Sequence, residues 1–198
     1  MIENPNRNAQ EKLFKDLALQ FIHRRGISDL LTFLEETDFY TAPASTKYHG
    51  AYIGGLLDHS LEVHCQMIKL ANVFNFETGK EDNQESLAIV SLFHDLCKIN
   101  NYILCNKKVK NEVTGHWEDH SYWKFDEARN TFGAHGAQSL YYVQNFIKLK
   151  EEEAQAIYHH MGCWDASKYD NISVVYEHNK LAWLLHVADE AATYIADI

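Results

Sequence analysis

Between Glu81 and Ile99 the chain sets Leu87, Ile89, Val90, Leu92, Phe93 and Leu96 around almost the whole circumference of one helix. A helix that is apolar on nearly every side lies at the centre of a domain, so the rest of the chain must pack around this segment. Near its end stand His94 and Asp95. Adjacent helical residues diverge by about 100°, so the two share no face, and they can grip one point only where the helix end opens. Taken alone, the pair reads as a satisfied core histidine beside a capping aspartate, with metal ligation the minority reading.

Other helices surround this one. Leu13, Phe14, Leu17 and Phe21 recur at helical spacing over 9–24. Gly26 reads as a stop, with Ser28 or Asp29 placed to cap a second helix running to about Thr37. The stretch from Tyr40 to Gly50, with Pro43, Ser45 and His49, reads as a loop. A long buried helix follows from Gly55 to about Phe74, and further helices are expected at about 135–147, 150–160 and 180–196. The segment 101–131 differs: aromatic and β-branched residues flank Asn111-Glu112-Val113-Thr114-Gly115, which predicts a β-hairpin. The fold class is therefore mainly α, a helical bundle with a small β-hairpin insertion. One domain is expected over 1–198, with N-terminal helices in 1–49 and the core in 50–198.

Composition narrows the classes of function. In 198 residues, 46% are apolar and only two are proline, which excludes a disordered or collagen-like chain. A formal charge of -10 argues against non-specific attraction to a nucleic acid backbone, so no stable duplex binding is expected. The longest strongly apolar stretch, Leu181 to Ala188, is broken by His186 and is too short for a bilayer, so no membrane association is expected. Cys65, Cys97, Cys105 and Cys163 form no C-x-x-C pair, and the first residues lack the apolar centre of a signal peptide. Reduced thiols in a cytoplasmic protein are the expectation, with a homo-oligomer left open.

Twelve histidines are many for this length, and their positions carry the chemistry. His59 falls in the first turns of an apolar helix, in Gly54-Gly55-Leu56-Leu57-Asp58-His59. Asp189 is a lone carboxylate in Leu184-Leu185-His186-Val187-Ala188-Asp189, where an unpaired buried charge is costly. Phe132-Gly133-Ala134-His135-Gly136 and Tyr158-His159-His160-Met161-Gly162 each bring histidine close to glycine. Buried charges persist when they are paired or ligate metal, so several helices each supplying His or Asp favour a shared ion site.

The order His59, then His94-Asp95, then Asp189 resembles the HD superfamily of metal-dependent phosphohydrolases, over about Gly50 to Tyr194. Gly-Gly-Leu-Leu-Asp-His, His-Asp-Leu-Cys-Lys and Leu-His-Val-Ala-Asp carry the resemblance together. It is closest to the subgroup with two extra histidines before the last aspartate, which includes a bacterial 3′–5′ exoribonuclease and cyclic-dinucleotide phosphodiesterases. The resemblance implies an HD-type bundle in which His59, His94, Asp95 and Asp189 hold a first ion. Asp95 would bridge to a second, held also by His135 and His160, with His159 the alternative to His160. Asp95 and Lys98 are the implied catalytic residues, Lys98 as a phosphate anchor, and Trp164 beside Asp165 is placed to line the substrate pocket. The donors suit one or two divalent transition metal ions, Mn, Fe, Co, Ni or Zn.

The implied activity is hydrolysis of a phosphomonoester or phosphodiester in a nucleotide or short oligonucleotide, so the expected partner is a small phosphorylated substrate. A diiron oxygenase acting on a small organic substrate, and a non-catalytic nucleotide sensor, are the alternatives. His186, one turn before Asp189, is placed to orient a ligand from behind. In the hairpin, Lys107, Lys108 and Lys110 with Trp117, Tyr122 and Trp123 either discourage edge pairing and dock on the domain, or contact a base.

Overall fold

The computed structural model describes residues 6–76, 80–129 and 132–196. Among them the helices are α1 (Arg7–Phe21), α2 (Ile27–Glu35), α3 (Gly55–Val73), α4 (Glu81–Phe93), α5 (His135–Gln144), α6 (Glu151–Tyr158), α7 (Ile172–His178) and α8 (Lys180–Ala191). Two strands, β1 (Tyr102–Lys110) and β2 (Trp117–Phe125), form the hairpin. The architecture is mainly helical with a small β insertion, as the hydrophobic pattern requires.

Helix α4 occupies the centre. Every residue from Ser86 to Asp95 is buried, and α1, α3, α6 and α8 all pack against it. The Phe93 ring meets Phe14 of α1 at 5.8 Å, and Phe14 meets Phe39 at 5.0 Å. Each such fully buried side chain contributes roughly 1.5–3 kcal/mol. A polar tie secures the far end of the bundle: the Arg24 guanidinium donates to the buried Glu153 carboxylate of α6 at 2.6 Å, and the Ser86 hydroxyl of α4 donates to it at 2.6 Å.

Several boundaries differ from expectation for local reasons. Gly26, at φ +97°, is itself the N-cap of α2, and neither Ser28 nor Asp29 caps that helix. The central helix ends at Phe93 instead of Ile99, and the chain continues into a 3-10 turn, Leu96–Lys98. Helix α7 was not anticipated. Its seven residues bury only Ile172, so no apolar period marks it, and its one signal is Asn171, whose side chain accepts from Val174 N at 3.3 Å.

The hairpin runs in register from Tyr102 opposite Phe125 to Lys110 opposite Trp117. Its root is anchored: Tyr102 and Phe125 rings lie 5.7 Å apart, and the Tyr102 hydroxyl donates to the Ala44 carbonyl at 3.3 Å. Beyond the root most strand residues are exposed. Among the described residues no helix is long and apolar enough to cross a membrane.

Candidate metal centre

Three helix ends and one late helix bring the charged residues of the core together. At the start of α3, the backbone of the preceding loop lies directly against the first turn. A Cβ on Gly55 would come within 1.9 Å of the Gly50 carbonyl oxygen, so only glycine fits. Arg7 of α1 then donates to the carbonyls of Ile53 and Gly54 at 2.6 and 2.9 Å and to Asp58 at 3.3 Å, fixing the turn that presents His59. At the end of α4, His94 is the C-cap and its Nδ1 donates to the Ser91 carbonyl at 2.9 Å. Asp95 leaves helical geometry (φ -107°, ψ 21°), which is how two sequence neighbours come to face the same point. Past the end of α6, His160 Nδ1 donates to the Ile157 carbonyl at 2.7 Å.

The side chains converge tightly. His59 Nε2 lies 3.1 Å from Asp189 Oδ1 and 3.5 Å from Asp95 Oδ2. His94 Nε2 is 3.5 Å from Asp95 Oδ2 and 4.0 Å from Asp189 Oδ1, and His160 Nε2 is 3.5 Å from Asp95 Oδ1. One ligand atom each from His59, His94 and Asp189 falls within 4.8 Å of the others. Because Nδ1 of His94 and of His160 is committed to a carbonyl, the opposite nitrogen carries the lone pair. Both Nε2 atoms are buried without a hydrogen-bond partner among the described residues, and a 3.5 Å approach to a carboxylate is too long for a good one. Lone pairs and carboxylates turned toward one point repel unless a cation lies between them, so these residues fit a divalent metal ion. The Nδ1–carbonyl contacts are the kind of support that orients metal-binding imidazoles.

Electrostatics agree with that fit at Asp95 and His94, whereas at His160 burial is outweighed by Asp95 and the pKa is raised. Burial works against charge on Asp95, but the Lys98 ammonium, 2.6 Å from Oδ2, together with His160, outweighs it and holds the carboxyl well below the usual range. Burial likewise opposes the Lys98 charge, and Asp95 overcomes it, so the ammonium stays protonated. Burial pushes His94 down to about 4 against the pull of Asp95 and Asp189, which keeps it in the neutral form a metal requires. The Cys97 thiol, raised by burial and then by Asp95, is inert.

A cavity of about 200 Å³ opens onto the cluster, with Asp95, Lys98, His135, Trp164, Asp189 and His49 in its walls. Of the expected residues, the structure brings His59, His94, Asp95, His160, Asp189 and Lys98 together. His135 stands at the edge: its side chain is 42% exposed and its Nδ1 faces Asp165 at 3.8 Å. His159 turns toward the Tyr158 ring at 4.7 Å, so His160 is the member of that pair in the cluster. Trp164 lies at the mouth, 80% exposed. His186 takes its place behind the cluster, donating from Nδ1 to the His160 carbonyl at 2.8 Å. A Cβ on Gly162 would come 2.8 Å from that ring, which accounts for a glycine two residues after His160.

Two residues were undervalued by the sequence. His49 had no persuasive pattern, yet its ring lies 4.9 Å from that of His59 and both its ring nitrogens are buried without a hydrogen-bond partner. Burial, then Lys98 and His59, push its pKa down to about 4. Its only sequence signal is the loop's glycine, Gly50, which the close approach to Gly55 demands. Asp165, marked only by proximity, accepts from the His135 backbone N–H at 2.5 Å and so fixes the start of α5.

Buried imidazoles and carboxylates, gathered from separate helices around one opening, define a helical protein with a divalent metal centre. The HD domain family model matches residues 56–193, and the chain belongs to that family. A curated relative, the dihydroneopterin 2′,3′-cyclic phosphate phosphodiesterase of Methanocaldococcus jannaschii, is 37% identical over 78 residues, which is 39% of this chain. The matched region spans 29% of that relative's length. No solved structure matches the chain.

Proposed function

We propose that this chain is a metal-dependent phosphohydrolase that cleaves a phosphomonoester or phosphodiester bond of a nucleotide or short oligonucleotide. The observation that carries the reading is the pair of buried, unpartnered imidazole nitrogens of His94 and His160 on either side of Asp95, with the Lys98 ammonium beside them. His59, His94, Asp95 and Asp189 would hold one ion, and Asp95 with His160 and the edge residue His135 a second. When bound, such ions supply Lewis-acid polarisation of a phosphoryl group and neutralise charge developing on the leaving oxygen.

The chain's own residues do the rest. Lys98, kept protonated by Asp95, binds a phosphate oxygen from the pocket side. Held neutral, the His49 ring offers an N–H to the same group. Met161 and the carbon stems of Thr193 and Tyr194 narrow the cavity around the reacting bond and exclude bulk water. That the relative is a phosphodiesterase of a cyclic phosphate supports the phosphodiester arm of the reading.

The test is phosphate and nucleoside release from a nucleotide panel that includes cyclic dinucleotides and a short RNA. The protein is purified without chelator and assayed as isolated and with Mn²⁺, beside an Asp95→Ala control. Turnover absent from the control establishes the activity. No turnover on any member of the panel, with bound iron and substrate-dependent oxygen consumption, would replace hydrolysis with oxygenase chemistry.

A further inference from the structure

A second cavity, of about 480 Å³, lies between the hairpin and the loop that carries His49. Lys47 lines it from the loop, and Lys107, His120, Tyr122 and Trp123 line it from the strands. Among the described residues no Asp or Glu lines it, on a chain whose formal charge is -10. The lysine ammonium groups lie over aromatic faces, Lys107 at 5.2 Å from the Tyr122 ring centre and Lys47 at 5.7 Å from that of Tyr48. By contrast Lys108, on the other face of β1, has Asp119 at 3.8 Å. The cleft is therefore a local cationic site on an acidic protein.

Trp123 adds an independent observation. Its indole N–H is buried with no hydrogen-bond partner among the described residues. An unpaired buried donor costs about 1–3 kcal/mol, and this one belongs to a residue that lines the cleft. Two ammonium groups beside aromatic faces are the means by which proteins hold single-stranded nucleotide units. The volume is within the range of small-ligand sites, roughly 300–1,000 Å³, and a cleft this small has no room for a duplex. Its location matters equally: Lys47 and Ala51 wall this cavity while His49, between them in sequence, walls the metal pocket. One loop separates the two.

We propose that the hairpin cleft is a binding subsite for a nucleotide unit of the substrate other than the one being cleaved. Its base stacks on Tyr122, and its phosphate rests on Lys47 and Lys107. The assignment rests on the phosphohydrolase reading of the metal pocket, and it narrows the substrate to molecules of at least two nucleotide units.

The test is calorimetric binding by the full, metal-loaded chain of two probes, a phosphorothioate-linked adenylyl dinucleotide and inorganic phosphate. The double variant Lys47→Ala/Lys107→Ala and the single variant Tyr122→Leu change exposed side chains. Each is expected to weaken the dinucleotide by about tenfold or more, equivalent to about 1.4 kcal/mol, and to leave inorganic phosphate within about twofold. Dinucleotide bound equally by variants and parent, or not bound by the parent, overturns the subsite; so does a parallel loss of inorganic phosphate binding, which would place these residues in the metal pocket. Lysine-dependent dinucleotide binding without hydrolysis of any nucleotide leaves the subsite standing and removes the hydrolase reading. Hydrolysis of dinucleotides with KM unchanged in both variants does the reverse.

Discussion

Lys98 and Asp95 hold opposite charges 2.6 Å apart inside the protein, and each sustains the other's ionised form. Lys98→Ala removes a charge that would meet phosphate while leaving the imidazoles and Asp189 in place. It is expected to retain bound metal by elemental analysis and to lose about 10²–10³ in kcat, the usual effect of deleting one electrostatic stabiliser. An unchanged kcat would take Lys98 out of the chemistry. His186 acts at one remove, through the His160 carbonyl. His186→Ala is expected to weaken metal binding by about 10–100-fold in a competition titration, with His186→Asn recovering part of it. His59, His94, Asp95 and Asp189 were legible as a candidate site only together: each falls in an apolar helix, where one alone reads as a satisfied or capping residue, and their order resembles the HD pattern. His49 was not legible, because what places it is the contact of Gly50 with Gly55, a tertiary event that leaves no periodic mark.

The decisive element is the end of α4. Periodicity carries the helix to Ile99, since Leu96 and Ile99 are as apolar as the residues before them, but the structure opens it at Phe93. Propensity does not distinguish the two outcomes. Off the helical path Asp95 lies beside Lys98, His59, His94 and His160, and burying a carboxylate without such partners costs far more than a few backbone hydrogen bonds. A second buried carboxylate, Glu153 at the start of α6, joins Arg24, Ser86 and the Lys150 N–H, the last at 2.7 Å. Burial would raise its pKa, yet the Arg24 and Ser86 hydrogen bonds hold it below the ordinary 4.5. A lowered folded pKa contributes stability that is present above 4.5 and lost as pH falls through the folded value. Glu153→Gln is therefore expected to be about 2 kcal/mol less stable than the parent in urea at pH 7. The gap should narrow in acid; a gap that stays constant down to about pH 3 would assign the loss to packing instead of charge.

At the scale of the whole molecule, the bundle and the hairpin have different origins in the sequence. The bundle was legible from its apolar stripes, whereas α7, with one buried side chain, was not. Metal binding at the proposed centre would tie the helices together, because the candidate donor atoms belong to α3, the end of α4, the end of α6 and α8. Metal at about 1,000 times its Kd adds about 4 kcal/mol to the folded state. For a chain of this size that is a rise in Tm of roughly 8–16 °C, reversed by chelator. A melting curve indifferent to both metal and chelator would mean that the cluster does not hold an ion.

The same distribution of donors has a consequence for biosynthesis. His59 and Asp189 are in contact at 3.1 Å, yet about two thirds of the chain lies between them in sequence. On the ribosome His59 emerges long before the carboxylate that completes its surroundings, so a nascent chain offers no finished centre to a passing ion or nucleotide. The donor set is complete only with α8, and a translation product cut short before it would lack Asp189 of the proposed centre.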